Sequence, residues 1–190
     1  MSAAVQTVRG PVSADLLGTT LMHEHLFVEF GGASPRFLEP GPQRDEVTEA
    51  CSDLIAEIRR FGVQSLADPT TVDLGRNIPV MADIAAETDF TIMCCTGIYS
   101  TAYYRRIRDE LGSPEAVSDL FIRELTEGIG GTGIKAGFIK AVTGQPSVTE
   151  TERELLRMAG RAAAQAGAPV MTHTEGVLGD EQQRILTAEG

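Results

Sequence analysis

The chain has 190 residues, 42% of them hydrophobic, a mean hydropathy of -0.04 and a formal net charge of -11. These values are typical of one globular domain, and the negative charge argues against nucleic acid and anionic membranes as partners. No apolar run approaches the length of a membrane span, and the three cysteines do not suggest a disulfide framework. We therefore expect a cytoplasmic protein.

The predicted elements alternate between strands and helices along the chain. Short apolar runs rich in branched or aromatic residues predict strands at residues 20–28, 63–68, 90–96, 134–142 and 169–174. Amphipathic stretches predict helices at residues 44–60, 77–87, 101–111, 114–128 and 150–166, and one at 181–189 that ends at Gly190. Thr149 followed by Glu152 predicts a capping box at the start of the helix at 150–166.

Five successive strand–helix units predict an α/β fold with a parallel sheet and right-handed crossovers. Two architectures fit this order, a doubly wound open sheet and part of an eightfold barrel. A complete barrel usually takes about 250 residues and eight units, so five units would be a fragment of one. The loop at residues 31–42 contains three glycines and three prolines, and we expect it to lie over the mouth of a site.

All three histidines lie at the ends of predicted strands. In a strand, residues i and i+2 point to the same side, so His23 and His25 would project together, roughly 6.6 Å apart, and could close on one metal ion. His173 ends the fifth predicted strand. Because parallel α/β folds place active groups at the C-terminal ends of their strands, the three imidazoles are expected on one rim.

Further polar residues are expected on the same rim. Asp68 ends the second predicted strand, Tyr99 follows the third, and Lys140 lies late in the fourth. A lysine amine buried beside metal ions loses its proton easily and can then add carbon dioxide, forming a carbamate that bridges two ions. Alternatively, Lys140 snorkels outwards or pairs with a carboxylate. Asp68 either supports the metal ligands or caps the loop that begins at Pro69, and the loop at 73–77 is expected to be structural.

Several motifs, taken in order, resemble the phosphotriesterase family of the amidohydrolase superfamily. They are GTTLMHEHL at 18–26, DPTT at 68–71, LGRN at 74–77, TGIY at 96–99, KAGFIK at 135–140, THT at 172–174 and EQQRIL at 181–186. The resemblance covers nearly the whole chain and rests on independent motifs.

This resemblance implies a (β/α)8 TIM-barrel hydrolase with two divalent metal ions, commonly zinc, with cobalt, iron or manganese as alternatives. By the family's pattern His23 and His25 would hold the more buried ion, His173 would bind the more exposed ion, and the Lys140 carbamate would bridge both. A hydroxide between the ions would attack the substrate.

The resemblance also implies a substrate class. Tyr99 matches a position where lactonase-type members of the family carry a tyrosine near the substrate. We therefore expect a small-molecule lactone or other ester as substrate, with phosphotriester cleavage as a side activity. Lys140, Tyr99 and Asp68 are the candidate catalytic residues.

Two ligands of the family pattern are absent, a fourth histidine from the sixth strand and an aspartate from the eighth. The chain ends at Gly190, before either position. We therefore expect residues 1–190 to be one partial domain, the N-terminal five units of the barrel, with impaired activity on its own. Self-association that covers the open sheet edges would make it a homo-oligomer.

Two further hypotheses come from other functional classes. One is a non-catalytic metal-binding or assembly module that keeps His23 and His25 as a partial site. The other is a doubly wound sheet that binds a small ligand at its switch point. The second is weakened because no Gly-x-Gly-x-x-Gly turn follows the first predicted strand.

Overall fold

The structure, a computed structural model, describes residues 3–34 and 37–190, so part of the predicted loop at 31–42 lies outside the described residues. Within them, an antiparallel hairpin of β1 (Ala4–Thr7) and β2 (Gly10–Ser13) precedes the parallel strands β3 (Thr20–Leu21), β4 (Ser65–Asp68), β5 (Thr91–Gly97), β6 (Phe138–Thr143) and β7 (Val170–Thr174). The helices are α1 (Pro42–Arg59), α2 (Ile78–Thr88), α3 (Thr101–Leu111), α4 (Pro114–Thr126), α5 (Glu150–Ala166) and α6 (Gly179–Thr187). In this described part of the chain, no helix is long and apolar enough to cross a membrane.

The parallel sheet has the order β3-β4-β5-β6-β7, and each strand pairs with the next one in the chain. A doubly wound sheet would reverse its strand order at a switch point. No reversal occurs among these strands, so the doubly wound hypothesis is wrong. Consecutive parallel strands that alternate with helices confirm the predicted first five units of a (β/α)8 barrel.

The two faces of this sheet carry different contacts. Strand residues such as Leu66, Ile92 and Ile139 pack with the helices in the main core. The side chains between them point to the opposite face, because successive strand residues alternate. There Met93 and Phe138 belong to a separate apolar cluster, against which Val5, Leu17 and Met171 also pack. The helices therefore cover one face, and the other is the inner face of the partial barrel.

The first parallel strand is much shorter than predicted, because β3 ends at Leu21 rather than continuing to residue 28. The Glu24 N–H still donates to the Ala67 carbonyl (3.2 Å). In a parallel ladder, the Glu24 carbonyl would next accept from the N–H of residue 69, but Pro69 has none. The strand alternation predicted for His23 and His25 therefore does not apply.

The strand predicted at residues 134–142 starts later, at Phe138. Before it, the Ala136 N–H donates to the Glu124 carbonyl of α4 (2.9 Å), which draws the segment away from the sheet. Lys135 therefore lies outside the strand that carries Lys140.

The helix predictions are mostly confirmed. The bounds at 101–111 and 150–166 agree with α3 and α5, and the predicted capping box of Thr149 and Glu152 is present. α4 ends at Thr126, two residues before the predicted end. α6 begins at Gly179 and ends at Thr187 with Ala188 as its C-cap, so the prediction that Gly190 ends this helix was wrong.

Candidate metal centre

The imidazoles of His23 and His25 lie together just beyond the end of β3, with ring centroids 5.6 Å apart. Nδ1 of His25 is 2.7 Å from Oγ1 of Thr70. The same hydroxyl can donate to the Phe27 carbonyl (3.5 Å), and in that arrangement it accepts the Nδ1–H of His25. Nε2 of His25 would then keep the lone pair that a metal ion requires. Sequence reasoning did not single out Thr70.

Lys140 lies in β6 with only 1% of its surface exposed, and its Nζ is 3.3 Å from Nε2 of His23. Burial lowers the pKa of this amine to about 8, compared with 10.5 for an exposed lysine. The alternative that Lys140 snorkels outwards is wrong. Among the described residues, no carboxylate forms an ion pair with it. The amine instead faces the histidine pair.

Gly97 allows the close approach of β5 to this lysine. It pairs with Lys140 in the sheet at a φ of 119°, a region that favours glycine. A Cβ at this position would lie 2.0 Å from the Lys140 carbonyl oxygen. The motif at 96–99 thus contains a glycine because the neighbouring backbone leaves no room for a side chain.

His173 and Tyr99 meet at the other end of the rim. His173 lies on β7 opposite Val142, and its ring contacts that of Tyr99 edge to face, with centroids 5.7 Å apart. The Asp73 carboxylate accepts the backbone N–H groups of Tyr99 (3.0 Å) and Ser100 (2.6 Å). Asp73 belongs to the loop expected to be structural, and it anchors the segment that presents Tyr99.

Asp68 makes the loop-capping contact that the sequence left open, and it also contacts the segment that carries His25. Its Oδ1 accepts the Thr70 N–H (2.7 Å), which caps the loop after β4. Its Oδ2 accepts the Leu26 N–H (2.9 Å), which holds the segment next to His25. The ring of His25 bonds to Thr70, and Oδ1 of Asp68 is 3.9 Å from its Nδ1. Asp68 therefore holds the backbone of Leu26, which follows this histidine, and that of Thr70, which contacts its ring.

Asp68 gives rise to a pH-dependent prediction, because burial raises its pKa to about 6 against 3.8 for an exposed aspartate. The folded chain then holds this proton more tightly than the unfolded chain. As the pH rises from about 4 to about 6, we expect the contribution of Asp68 to the free energy of unfolding to decrease, by about 3 kcal/mol at most. Urea unfolding of the natural chain and of Asp68→Asn at both pH values measures it. A stability difference between the two proteins that does not change with pH would contradict the prediction.

The electrostatics of the rim favour neutral nitrogen ligands. Burial lowers the pKa of His23 and of His25, and the positive charge of Lys140 lowers both further. Metal ions bind neutral imidazole, and carbamate formation needs a neutral amine. Across residues 3–34 and 37–190, no three histidine, cysteine, aspartate or glutamate side chains are close enough together to hold a metal ion. The donor types suit a metal, and two carbamate oxygens on Lys140 would enlarge the set.

Comparison with known proteins gives consistent results. Residues 3–190 match the profile of the phosphotriesterase family. The chain is 36% identical over 194 residues to a phosphotriesterase homology protein of Mycobacterium tuberculosis, covering 98% of this chain and 60% of that protein. It is 35% identical over 182 residues to an aryldialkylphosphatase of Saccharolobus solfataricus, covering 92% and 55%. The chain thus spans about 60% of the length of these relatives or less.

Solved structures agree with the sequence relatives. The organophosphorus hydrolase of Deinococcus radiodurans superposes with a TM-score of 0.84 at 33% identity, covering all of this chain and 59% of that chain. A variant of a PTE-like lactonase from the same organism superposes with a TM-score of 0.83 at 32% identity, covering 98% and 60%.

Proposed function

Because this chain belongs to the phosphotriesterase family, we propose that it forms part of a metal-dependent hydrolase that cleaves lactones or other small esters. The observation that supports this most strongly is the buried Lys140 amine, 3.3 Å from the imidazole of His23. A buried lysine is costly unless it has a role, because desolvation opposes its charge. Neighbouring histidines with lowered pKa values give it such a role in a metal site.

The proposed ligands are divided between two metal ions. His23 and His25 would hold one ion and His173 the other, and Lys140, as its carbamate, would be a ligand of both. To form the carbamate, the lone pair of the neutral Nζ adds to the carbon of carbon dioxide, one C=O π bond opens to leave the negative charge on oxygen, and the nitrogen releases one proton to solvent water. Zinc is the expected metal, with cobalt, iron or manganese as alternatives. When bound, the two ions supply Lewis acidity that activates water and polarises the ester carbonyl.

The other residues of the rim orient this site. Thr70 directs Nε2 of His25 towards the metal, and Asp68 holds the backbone around it. Tyr99, next to His173, offers a phenol that binds the substrate carbonyl. This tyrosine favours lactones as the main substrates, with phosphotriesters cleaved more slowly.

The substrate assignment predicts a specific effect of Tyr99→Phe. Loss of one hydrogen bond to the substrate is expected to lower kcat/KM for a lactone by about tenfold without changing the zinc content. The matched control is Tyr103→Phe, because Tyr103 packs against the main core and stacks with Arg106 on α3. The measurements are lactone hydrolysis and zinc content of the zinc-loaded chain and both variants.

The outcomes separate the two parts of the proposal. If neither the zinc-loaded chain nor the chain extended by the remaining units of the barrel hydrolyses a lactone or ester, the hydrolase proposal is wrong. If either does so and Tyr99→Phe matches Tyr103→Phe, only the role of Tyr99 is wrong. Faster cleavage of a phosphotriester than of any lactone would reverse the substrate order.

A second candidate is a non-catalytic metal-binding or assembly module. It is favoured by the incomplete ligand set and by the sheet edges, because β3 and β7 each have one strand neighbour in the described sheet. Such a module would bind zinc without hydrolysis and would form a homo-oligomer through these edges. Sedimentation of the zinc-loaded chain together with the lactone assay separates it from the enzyme.

For both candidate functions we propose the same cellular compartment and the same absence of macromolecular partners of negative charge. Cys51, Cys94 and Cys95 are all buried free thiols, which suits a reducing cytoplasm. Neither nucleic acid nor an anionic membrane is proposed as a partner, because the net charge of -11 repels both.

A further inference from the structure

We propose that Gln182 is a positioning residue that sets His173 in the metal centre. This inference rests on the proposed function, in which His173 is a metal ligand. Its basis is a set of hydrogen bonds from one side chain of α6 to the C-terminal ends of β6 and β7.

The Gln182 side chain is 2% exposed and uses both ends of its amide. Nε2 donates to the His173 carbonyl (2.9 Å) and to Oγ1 of Thr143 (2.7 Å). Oε1 accepts from Oγ1 of Thr174 (2.7 Å). One side chain thus binds the backbone of the ligand residue and a hydroxyl on each of the two strands.

Only an amide can make this set of bonds. Two donors and one acceptor must reach three groups from one end of an unbranched side chain. Glutamate lacks both donors, and methionine has the shape of glutamine without its hydrogen-bonding groups. The position therefore requires glutamine for its chemistry as well as for its size.

The location of these bonds connects them to the site. β6 carries Lys140, and His173 lies on β7 opposite Val142, next to the Thr143–Thr174 pair that Gln182 joins. All residues of β7 are half-buried, and in the described sheet this strand pairs with β6 alone. The Gln182 amide therefore adds a restraint to the end of a strand that has a neighbour on one side only in the described sheet.

Loss of the amide would remove hydrogen bonds at the ends of both strands. The His173 carbonyl would keep the Thr143 N–H of the β6–β7 ladder but lose its second donor, and the Thr143 hydroxyl would lose its donor, which loosens the β7 end. The His173 ring would then lose its fixed place beside Tyr99. His25, which is held by Thr70, and His23, which lies beside Lys140, would not be affected.

The test compares Gln182→Met with Gln183→Met, its matched control on the same helix. Gln183 is exposed, and its side chain makes no hydrogen bond among those of the described residues. The first readout is the NMR spectrum of the ring protons, which are readily resolved because the chain has three histidines. In Gln182→Met we expect the His173 signals to shift or broaden while those of His23 and His25 stay in place.

The second readout is a zinc titration. The weaker zinc-binding step, assigned to His173, is expected to weaken about tenfold in Gln182→Met, while the tighter step changes less than about twofold. Gln183→Met should match the natural chain in both steps. A purely structural role would lower both steps together and would disturb all three histidines.

A milder variant covers the case in which Gln182→Met does not fold. Thr174→Val keeps the side-chain shape and removes one of the three hydrogen bonds, so it should shift the His173 signals by a smaller amount in the same direction. Unchanged His173 signals in folded Gln182→Met, or in Thr174→Val where Gln182→Met does not fold, would overturn the inference. A natural chain that binds no zinc would instead overturn the proposed function, and the NMR comparison would still decide the positioning role.

Discussion

Replacing Lys140 with alanine is expected to reduce the zinc affinity of the chain by about 100-fold or more. The carbamate would supply an oxygen to each metal ion, so its removal takes a ligand from both, a larger loss than that of an outer hydrogen-bonding partner. The matched control is Lys135→Ala, which removes the chain's other lysine, outside β6 and half-buried. Zinc content after dialysis and a zinc titration give the measurement.

Two further results would qualify this prediction. Small carboxylic acids such as acetate should partly restore zinc binding to Lys140→Ala, because they fit the space left by the side chain and replace the carbamate oxygens. Zinc affinity in Lys140→Ala equal to that in Lys135→Ala would contradict the ligand role. Full loss of zinc binding in Lys140→Ala that small carboxylic acids do not restore would contradict the carbamate proposal, and Lys140 would then contribute to zinc binding in another way.

Replacing Arg76 with alanine is expected to lower the free energy of unfolding by about 3–5 kcal/mol. The buried guanidinium forms a two-point ion pair with Glu124, with both N–O distances 2.7 Å, and it donates to the Cys95 carbonyl (2.8 Å). Glu124 also accepts from Oγ1 of Thr96 (2.6 Å). Without Arg76 the Glu124 carboxylate stays largely buried beside the end of β5 with no cation.

Urea unfolding measures this effect, with Arg106→Ala as the control. Arg106 and its partner Glu110 are each 60% exposed, so that pair is expected to contribute less than about 1 kcal/mol. The double variant Arg76→Met, Glu124→Met should recover much of the lost stability, because it removes both buried charges. Equal losses in Arg76→Ala and Arg106→Ala would contradict the account of this ion pair.

The helices and their alternation with strands were largely predictable from the sequence because their signals are local. Thr149 and Glu152 mark the start of α5 through a capping box, and Gly167 ends it with a left-handed φ of 66°. Short apolar runs between such helices indicate buried parallel strands. The doubly wound alternative could be rejected only from the strand pairing, because both folds share the same element pattern.

The strand ends could not be predicted, because they depend on partners distant in the chain. β3 stops where Pro69 of the neighbouring strand segment offers no N–H group, and the segment before β6 is held by the Glu124 carbonyl. The hairpin of β1 and β2 was also missed. Its strands have four residues each, and it is held in part by a bond from the Val8 N–H to the Ile92 carbonyl.

The candidate site shows the same division. Its residue types could be predicted from three histidines and a lysine at strand ends, and the structure places Lys140 beside His23. The supporting contacts of Thr70, Asp73 and Gln182 could not be predicted, since each joins segments that are distant in sequence or lie on different elements. Whether the Lys140 side chain points outwards or is buried also depends on segments distant in the chain, so only the structure could decide it.

The most direct test of the proposed metal centre is the 13C NMR spectrum of the zinc-loaded chain equilibrated with 13C-bicarbonate. A carboxylated Lys140 would give one carbamate signal that is absent from Lys140→Ala and retained in Lys135→Ala. Zinc binding without any carbamate signal, or a signal that persists in Lys140→Ala, would contradict a two-metal centre built on this lysine.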